Sequence, residues 1–300
     1  MKHKIRQFQV SSFKFLSKKW IWYSCGLILF VIILAIANNN ISVSSVSEAS
    51  FKSRLDNTMA LSLKWLEADA ENMMKTPNAA LFLMIADMAD LSGNDRLNNI
   101  IEQYKALSGR SVWRRLIDKE SSVFIPGRGM LDQLEDYQRW IVYAIEPVRT
   151  PVTEDEKISM FAPDSHYWGS LTHQLFSLYI YREHQGASTA IEELTDHLCE
   201  RIAFEAVWDI RVTDLYLQRI AFILAAGRDD LIKKRWVERL IAYQQDNGGW
   251  LPGWYGWGPD IFKFRFKKKK TTAHATVQGM WVLWMLKYRY PEWITRNYGD

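Results

Sequence analysis

Two imidazoles and one carboxylate recur at matching places in this chain: His173, Asp214 and His274. Each lies near the start of a strongly apolar segment, SLTHQLFSLYIYREHQG (170–186), VTDLYLQRIAFILAAG (212–227) and TAHATVQGMWVLWMLKYRY (272–290). Brought to one cavity rim, the three could hold a divalent metal such as zinc with an open coordination position. They could equally act as metal-free acid and base. Gln218 and Gln278 follow Asp214 and His274 by four residues, one helical turn deeper on the same face. Asn78 opens a fourth segment of the same kind, TPNAALFLMIADMADLSG (76–93), and joins them as a candidate ligand contact. Each group also has a structural role open to it. Asp214 follows Thr213 as a first-turn acid favoured by the helix dipole, and a histidine there can bond backbone.

A different chemistry is written in LPGWYGWGPDIFKFRFKKKK (251–270), where Trp254, Tyr255 and Trp257 sit among glycines and prolines ahead of Lys267 to Lys270. Aromatic loops stack on sugars or cations, or cover a cavity. The lysine run would attract anionic lipid or an acidic glycan, or simply remain solvated. His166, His184 and His197 read as loop or surface residues. No phosphate-cradling glycine loop, Gly-x-Ser-x-Gly elbow or Ser-His-Asp order is visible.

The elements that must position these groups are helical. The four segments are apolar on most sides, as buried helices are. Thr, Ser or Asn at their starts can cap them, and Gly93, Gly186 and Gly227 stop the first three. A fifth inner candidate is MLDQLEDYQRWIVYAIE (130–146). Amphipathic helices fall between them over 94–107, 187–206 and 229–245, each with one solvated face. Alternation of buried and amphipathic helices predicts five hairpins. They either stack as a solenoid or curl into a ring with the apolar set inside, and the irregular spacing favours the ring.

The stretch RLIAYQQDNGGW (239–250) carries a resemblance. Gln245, Asp246, Gly248, Gly249 and Trp250 resemble the glutamine-to-tryptophan repeat of the α/α-toroid superfamily, which includes terpenoid cyclases and protein prenyltransferase β subunits. The resemblance covers residues 160–290, and residues 51–150 by periodicity only. It implies an α/α toroid, or a partial barrel of hairpins, in which inner helices share one open end. His173, Asp214 and His274 would then converge there. The family's chemistry does not transfer. The chain has no Asp-x-Asp-Asp motif and no facing Asp-rich helices. Asp196 and Cys199 lack the spacing of the prenyltransferase zinc pair, and the cysteines of lanthionine cyclases are missing. Residues 245–250 themselves read as structural: glycines for a tight reversal, Trp250 packed over it and Gln245 bonding loose backbone.

The N-terminus sets the compartment. Residues 1–19 hold six Lys/Arg and no acid, and residues 20–37 form an uncharged apolar run of 18. Eighteen is about the shortest length that spans a bilayer. Basic residues on its N-terminal side predict a cytoplasmic tail over 1–19, a single-pass signal anchor over 20–37 in an inner or plasma membrane, a Ser/Asn-rich linker over 38–50 and a periplasmic or extracellular domain over 51–300. Cleavage after Ala35-Ile36-Ala37 is the alternative, and it exports the same domain. Of the 38 Lys/Arg and 34 Asp/Glu, removing the six of the tail leaves the remainder at −2, which excludes a nucleic-acid footprint. Cys25 and Cys199 are too differently placed to pair. Two functions follow: a hydrolase or lyase on a glycan or peptide, working through His173, Asp214 and His274, or a non-catalytic envelope binding or scaffold protein.

Overall fold

The computed structural model describes residues 2–42, 45–253 and 270–299, with side chains from Ile21 onward. The described residues are helical, with no strand among them and one isolated bridge, Ser111 to Phe124. In chain order the helices are α1 (Lys2–Asn40), α2 (Glu48–Lys75), α3 (Ala79–Ser92), α4 (Asp95–Ser108), α5 (Arg128–Leu131), α6 (Asp136–Ile145), α7 (Glu154–Phe161), α8 (Trp168–Gln185), α9 (Thr189–Val207), α10 (Asp214–Ala225), α11 (Lys234–Ala242), α12 (Ala273–Trp284) and α13 (Pro291–Tyr298). A 3₁₀ turn, Val112–Leu116, follows α4, and a π turn, Met285–Arg289, extends α12.

The helix boundaries follow local chemistry. Asn78, Thr213 and Thr272 cap α3, α10 and α12 by accepting backbone N–H bonds of their first turns. Gly93 ends α3 at φ +63°, a left-handed position that costs glycine nothing. Two expected helices are interrupted. The stretch 130–146 breaks into α5 and α6, because Glu135 starts a new helix with its N–H bonded to Gln138 Oε1 at 3.0 Å. The stretch 229–245 opens as a 3₁₀ turn, Asp229–Leu231, and only then becomes α11. Arg228 holds that turn apart by reaching Asp230 and Asp196, each at 2.9 Å. The segment expected as a linker over 38–50 is also partly helical: α1 runs through Asn40 and α2 begins at Glu48.

Core and surface divide as the patterning predicts. α10 buries every residue from Tyr216 to Leu224, and α12 every residue from Ala275 to Trp284. Such helices need neighbours on all sides. α12 packs on α10, α3 and α2, α10 on α8, and α8 on α6, while the 3₁₀ turn after α4 packs on both α6 and α3. α2, α4, α9 and α13 lie against this set. Neighbours run parallel, since first-turn residues meet first-turn residues (His274 with Asp214) and later ones meet later ones (Phe176 with Phe222). Trp236, Trp250, Trp281 and Trp293 are fully buried. Each removes apolar area worth about 4–6 kcal/mol of gross transfer free energy.

The turn at 243–250 is a structural joint. Gly248 adopts φ +90°, and a Cβ there would lie 2.2 Å from the Leu61 carbonyl oxygen of α2. Gln244, rather than Gln245, ties the turn to α2, donating to Thr58 O and Gly248 O at 2.9 Å each. Gln245 donates to Tyr243 O at 2.8 Å. Trp250 donates from its indole to Leu240 O at 2.8 Å and lies against Gly279 of α12, where an added Cβ would stand 3.0 Å from the ring.

Candidate functional site

α10 stands between the two histidine-bearing helices and touches both. Its first residue, Asp214, places Oδ2 3.8 Å from His274 Nδ1 of α12. One turn deeper, the Gln218 amide nitrogen lies 3.4 Å from His173 Nε2 of α8, and Gln218 Oε1 accepts a 2.9 Å bond from the Thr172 hydroxyl. On α12 the Gln278 amide nitrogen lies 3.3 Å from His274 Nε2. His173, Asp214, His274, Gln218 and Gln278 therefore gather within the first two turns of three parallel helices. The folding reason is local. Thr213 and Thr272 fix where α10 and α12 begin, and the packing of α10 on α12 and α8 sets their rotation.

The electrostatics favour neutral imidazoles. Burial holds His173 down to about 4, and the nearby His274 adds to the effect. Burial also lowers His274, opposed by the carboxylate of Asp214. With His173 neutral, Gln218 donates to its Nε2, which leaves the proton on Nδ1. Tyr137 of α6 stacks on His173 with ring centroids 4.3 Å apart. Gln278 is fully buried, and its Oε1 has no hydrogen-bond partner among the described residues. A buried amide oxygen left without a donor costs about 1–3 kcal/mol.

Among the described residues no three His, Cys, Asp or Glu side chains group closely enough to hold an ion. His173 Nε2 and His274 Nε2 each face a glutamine amide, and Asp214 Oδ2 stands 3.8 Å from His274 Nδ1. Asn78 caps α3, accepting from Ala80 N at 3.1 Å, and lines a small cavity with Ala273, the neighbour of His274. It lines a separate cavity of about 380 Å³ with Tyr104, Trp113, Tyr137 and Gln138. Trp254, Tyr255 and Trp257 lie outside the described residues, as do Lys267, Lys268 and Lys269.

Sequence reasoning missed Tyr137 and Thr172. Tyr137 was legible only as one aromatic in an inner segment, but it lines the cavity and also stacks on His173. His184 is half-buried rather than a surface residue, and burial pushes it down to about 4. His166 bonds through Nε2 to Ser159 O at 2.8 Å and supports the loop before α8. Chemically, the rim presents neutral imidazoles, two buried amides, one carboxylate and an aromatic face. No protein-family model matches this chain, nor does any curated protein or any solved structure.

Proposed function

We propose that this chain is a membrane-anchored, extracytoplasmic protein whose domain is an α/α toroid or partial toroid, and that its rim binds an uncharged polar ligand, a glycan or a peptide segment. The ring reading rests on the packing of α3, α12, α10, α8 and α6 in succession, with the 3₁₀ turn at 112–116 beside both α6 and α3. One observation carries the ligand reading. Gln278 is buried beside His274, and its carbonyl oxygen has no hydrogen-bond partner among the described residues. Such a set takes hydroxyl or amide donors, and among the described residues it presents no cationic clamp for a phosphate or carboxylate. Anchoring is supported by the segment Ile21–Asn40, which is long and apolar enough to cross a membrane, and export by the basic residues ahead of it.

A second reading rests on the 3.8 Å approach of Asp214 to His274 Nδ1. Modest closure on a ligand would let the carboxylate orient the imidazole as a general base, in a lyase or hydrolase acting on the same glycan or peptide. Thermal-shift titration of the full chain in detergent, against neutral oligosaccharides and short peptides, tests binding. The expected result is a stabilising ligand whose effect is lost in His173→Ala and Gln278→Ala. A shift that survives in both variants would place the ligand elsewhere and end the rim reading. Turnover of the bound ligand, lost in His274→Asn, would select the enzyme.

A further inference from the structure

The end of α1 is built into the domain. Ala35, Ile36 and Ala37 are half-buried, and Asn39, two residues beyond the apolar run, is completely buried. Asn39 donates to Ala206 O at 2.8 Å and Val207 O at 3.1 Å, and Asn40 donates to Val207 O at 2.8 Å. These are the last carbonyls of α9, which no helical N–H can satisfy. From α11, Arg239 donates to the Asn39 side chain, Arg235 to Asn38 O at 2.7 Å, and Lys233 to Asn40 Oδ1 at 2.8 Å. The apolar helix thus passes into the domain without slack, so whatever surface surrounds the socket stands at the level where that helix ends.

That surface is aromatic and exposed. Trp208 follows the carbonyl that Asn39 and Asn40 bind, is 57% exposed and meets Phe204, 66% exposed, edge-on at 6.3 Å. Ile210 and Arg211 are exposed just beyond. Glu205, between Phe204 and Ala206, accepts the Trp168 N–H at 3.1 Å. Trp168 is 70% exposed and has φ +56°, the one non-glycine in the left-handed region among the described residues. Holding a bulky residue there costs about 1–3 kcal/mol, and its ring is left largely in solvent. Tyr167 beside it is exposed, with Arg201 5.1 Å over its ring. Tryptophan, tyrosine and arginine with apolar neighbours are the residues that settle at the boundary between lipid and water.

We propose that Tyr167, Trp168, Phe204, Trp208 and Ile210 form a second membrane contact, seated in the interfacial layer of the leaflet from which α1 emerges. The domain then lies on the bilayer in one fixed orientation instead of swinging on a tether. This rests on α1 being a membrane span, and the occupant follows from continuity: the patch begins one residue from the socket that receives the end of that helix.

Spin labels test it on the full chain in phosphatidylcholine/phosphatidylglycerol nanodiscs. In a Cys25→Ser background, with Cys199 buried and retained, single labels are placed at Phe204, Trp208, Leu29, Phe124 and Val148. The readout is collisional accessibility to oxygen against a water-soluble nickel chelate. The expected result is an oxygen-to-nickel ratio at 204 and 208 several-fold above that at 124 and 148, and nearer to that at 29. Ratios at 204 and 208 equal to those at 124 and 148, with 29 lipid-exposed, would overturn this contact and leave the anchor standing. A label at 29 that is also aqueous would remove both. Low accessibility to both reagents at 204 and 208 would mean a protein partner and would equally overturn the proposal. Trp208→Cys and Phe204→Cys alter exposed side chains only, so folding is retained, as the circular dichroism and thermal midpoint of each labelled variant would verify.

Discussion

The inner helices carry polar groups at both ends, and the two ends are built differently. Toward their C-terminal ends the contacts are short. Asp87 of α3 accepts from the Trp281 indole and from Arg289, each at 2.6 Å, and Tyr290 donates to Leu224 O at 2.7 Å. Around the histidines the contacts are slack, at 3.4 Å for Gln218 and His173, 3.3 Å for Gln278 and His274, and 3.8 Å for Asp214 and His274, although Gln218 also accepts from Thr172 at 2.9 Å. Both ends belong to the same parallel helices, so helix packing does not explain the difference. The C-terminal end pairs a full charge with a full charge and spends every oxygen of Asp87. The rim pairs neutral rings with amides and leaves Gln278 Oε1 without a partner among the described residues. Complete pairing holds a fold together, whereas incomplete pairing in a buried place leaves capacity for a ligand.

The comparison can be broken at several strengths. The largest effect is expected at the support beneath the rim. Trp250→Ala removes a fully buried ring and its bond to Leu240 O and should cost about 3–5 kcal/mol in denaturant unfolding. A loss near zero would mean that Trp250 does not hold α12 in place. At the C-terminal end, Asp87→Ala leaves Arg289 and the Trp281 indole without their acceptor. Both groups of the ion pair keep some exposure, so the cost should be about 2–4 kcal/mol, below that of a fully buried pair.

A smaller effect is expected from pH. Folded His173 titrates at about 4, against an ordinary 6.5. Between those values the unfolded chain takes up a proton that the folded chain refuses. Stability should therefore be flat from this residue above pH 6.5 and fall as the pH drops toward 4. His184 contributes in the same direction over the same window. His173→Gln should flatten part of the slope, and urea midpoints at pH 7 and pH 5 would measure it. The smallest stability change is expected for His274→Asn, under about 1 kcal/mol, because its partner is distant and both side chains are substantially exposed. If that variant destabilises the fold as much as Asp87→Ala, the rim is a structural lock like the other end.

Several helix caps and stops, the strongly buried helices, and the placing of Asp214 and His274 at helix starts were legible in the sequence, whereas the breaks within 130–146 and 229–245 were not. Caps such as Thr213 and Thr272 and the glycine stop at Gly93 act over three or four residues, and apolar periodicity states which helices are buried. Tertiary structure alone decided which groups touch. Asp87 and Arg289 are 202 residues apart, and Asn39 reaches Ala206 across 167. The partner of a side chain at that separation depends on helix rotation, axial level and neighbour. A few degrees of rotation would turn Gln244 away from Thr58 or Tyr137 away from His173. Local hydrogen bonding is written residue by residue, whereas the partners of Asn39, Asp87, Tyr137 and Gln278 follow from how all the buried faces fit together at once.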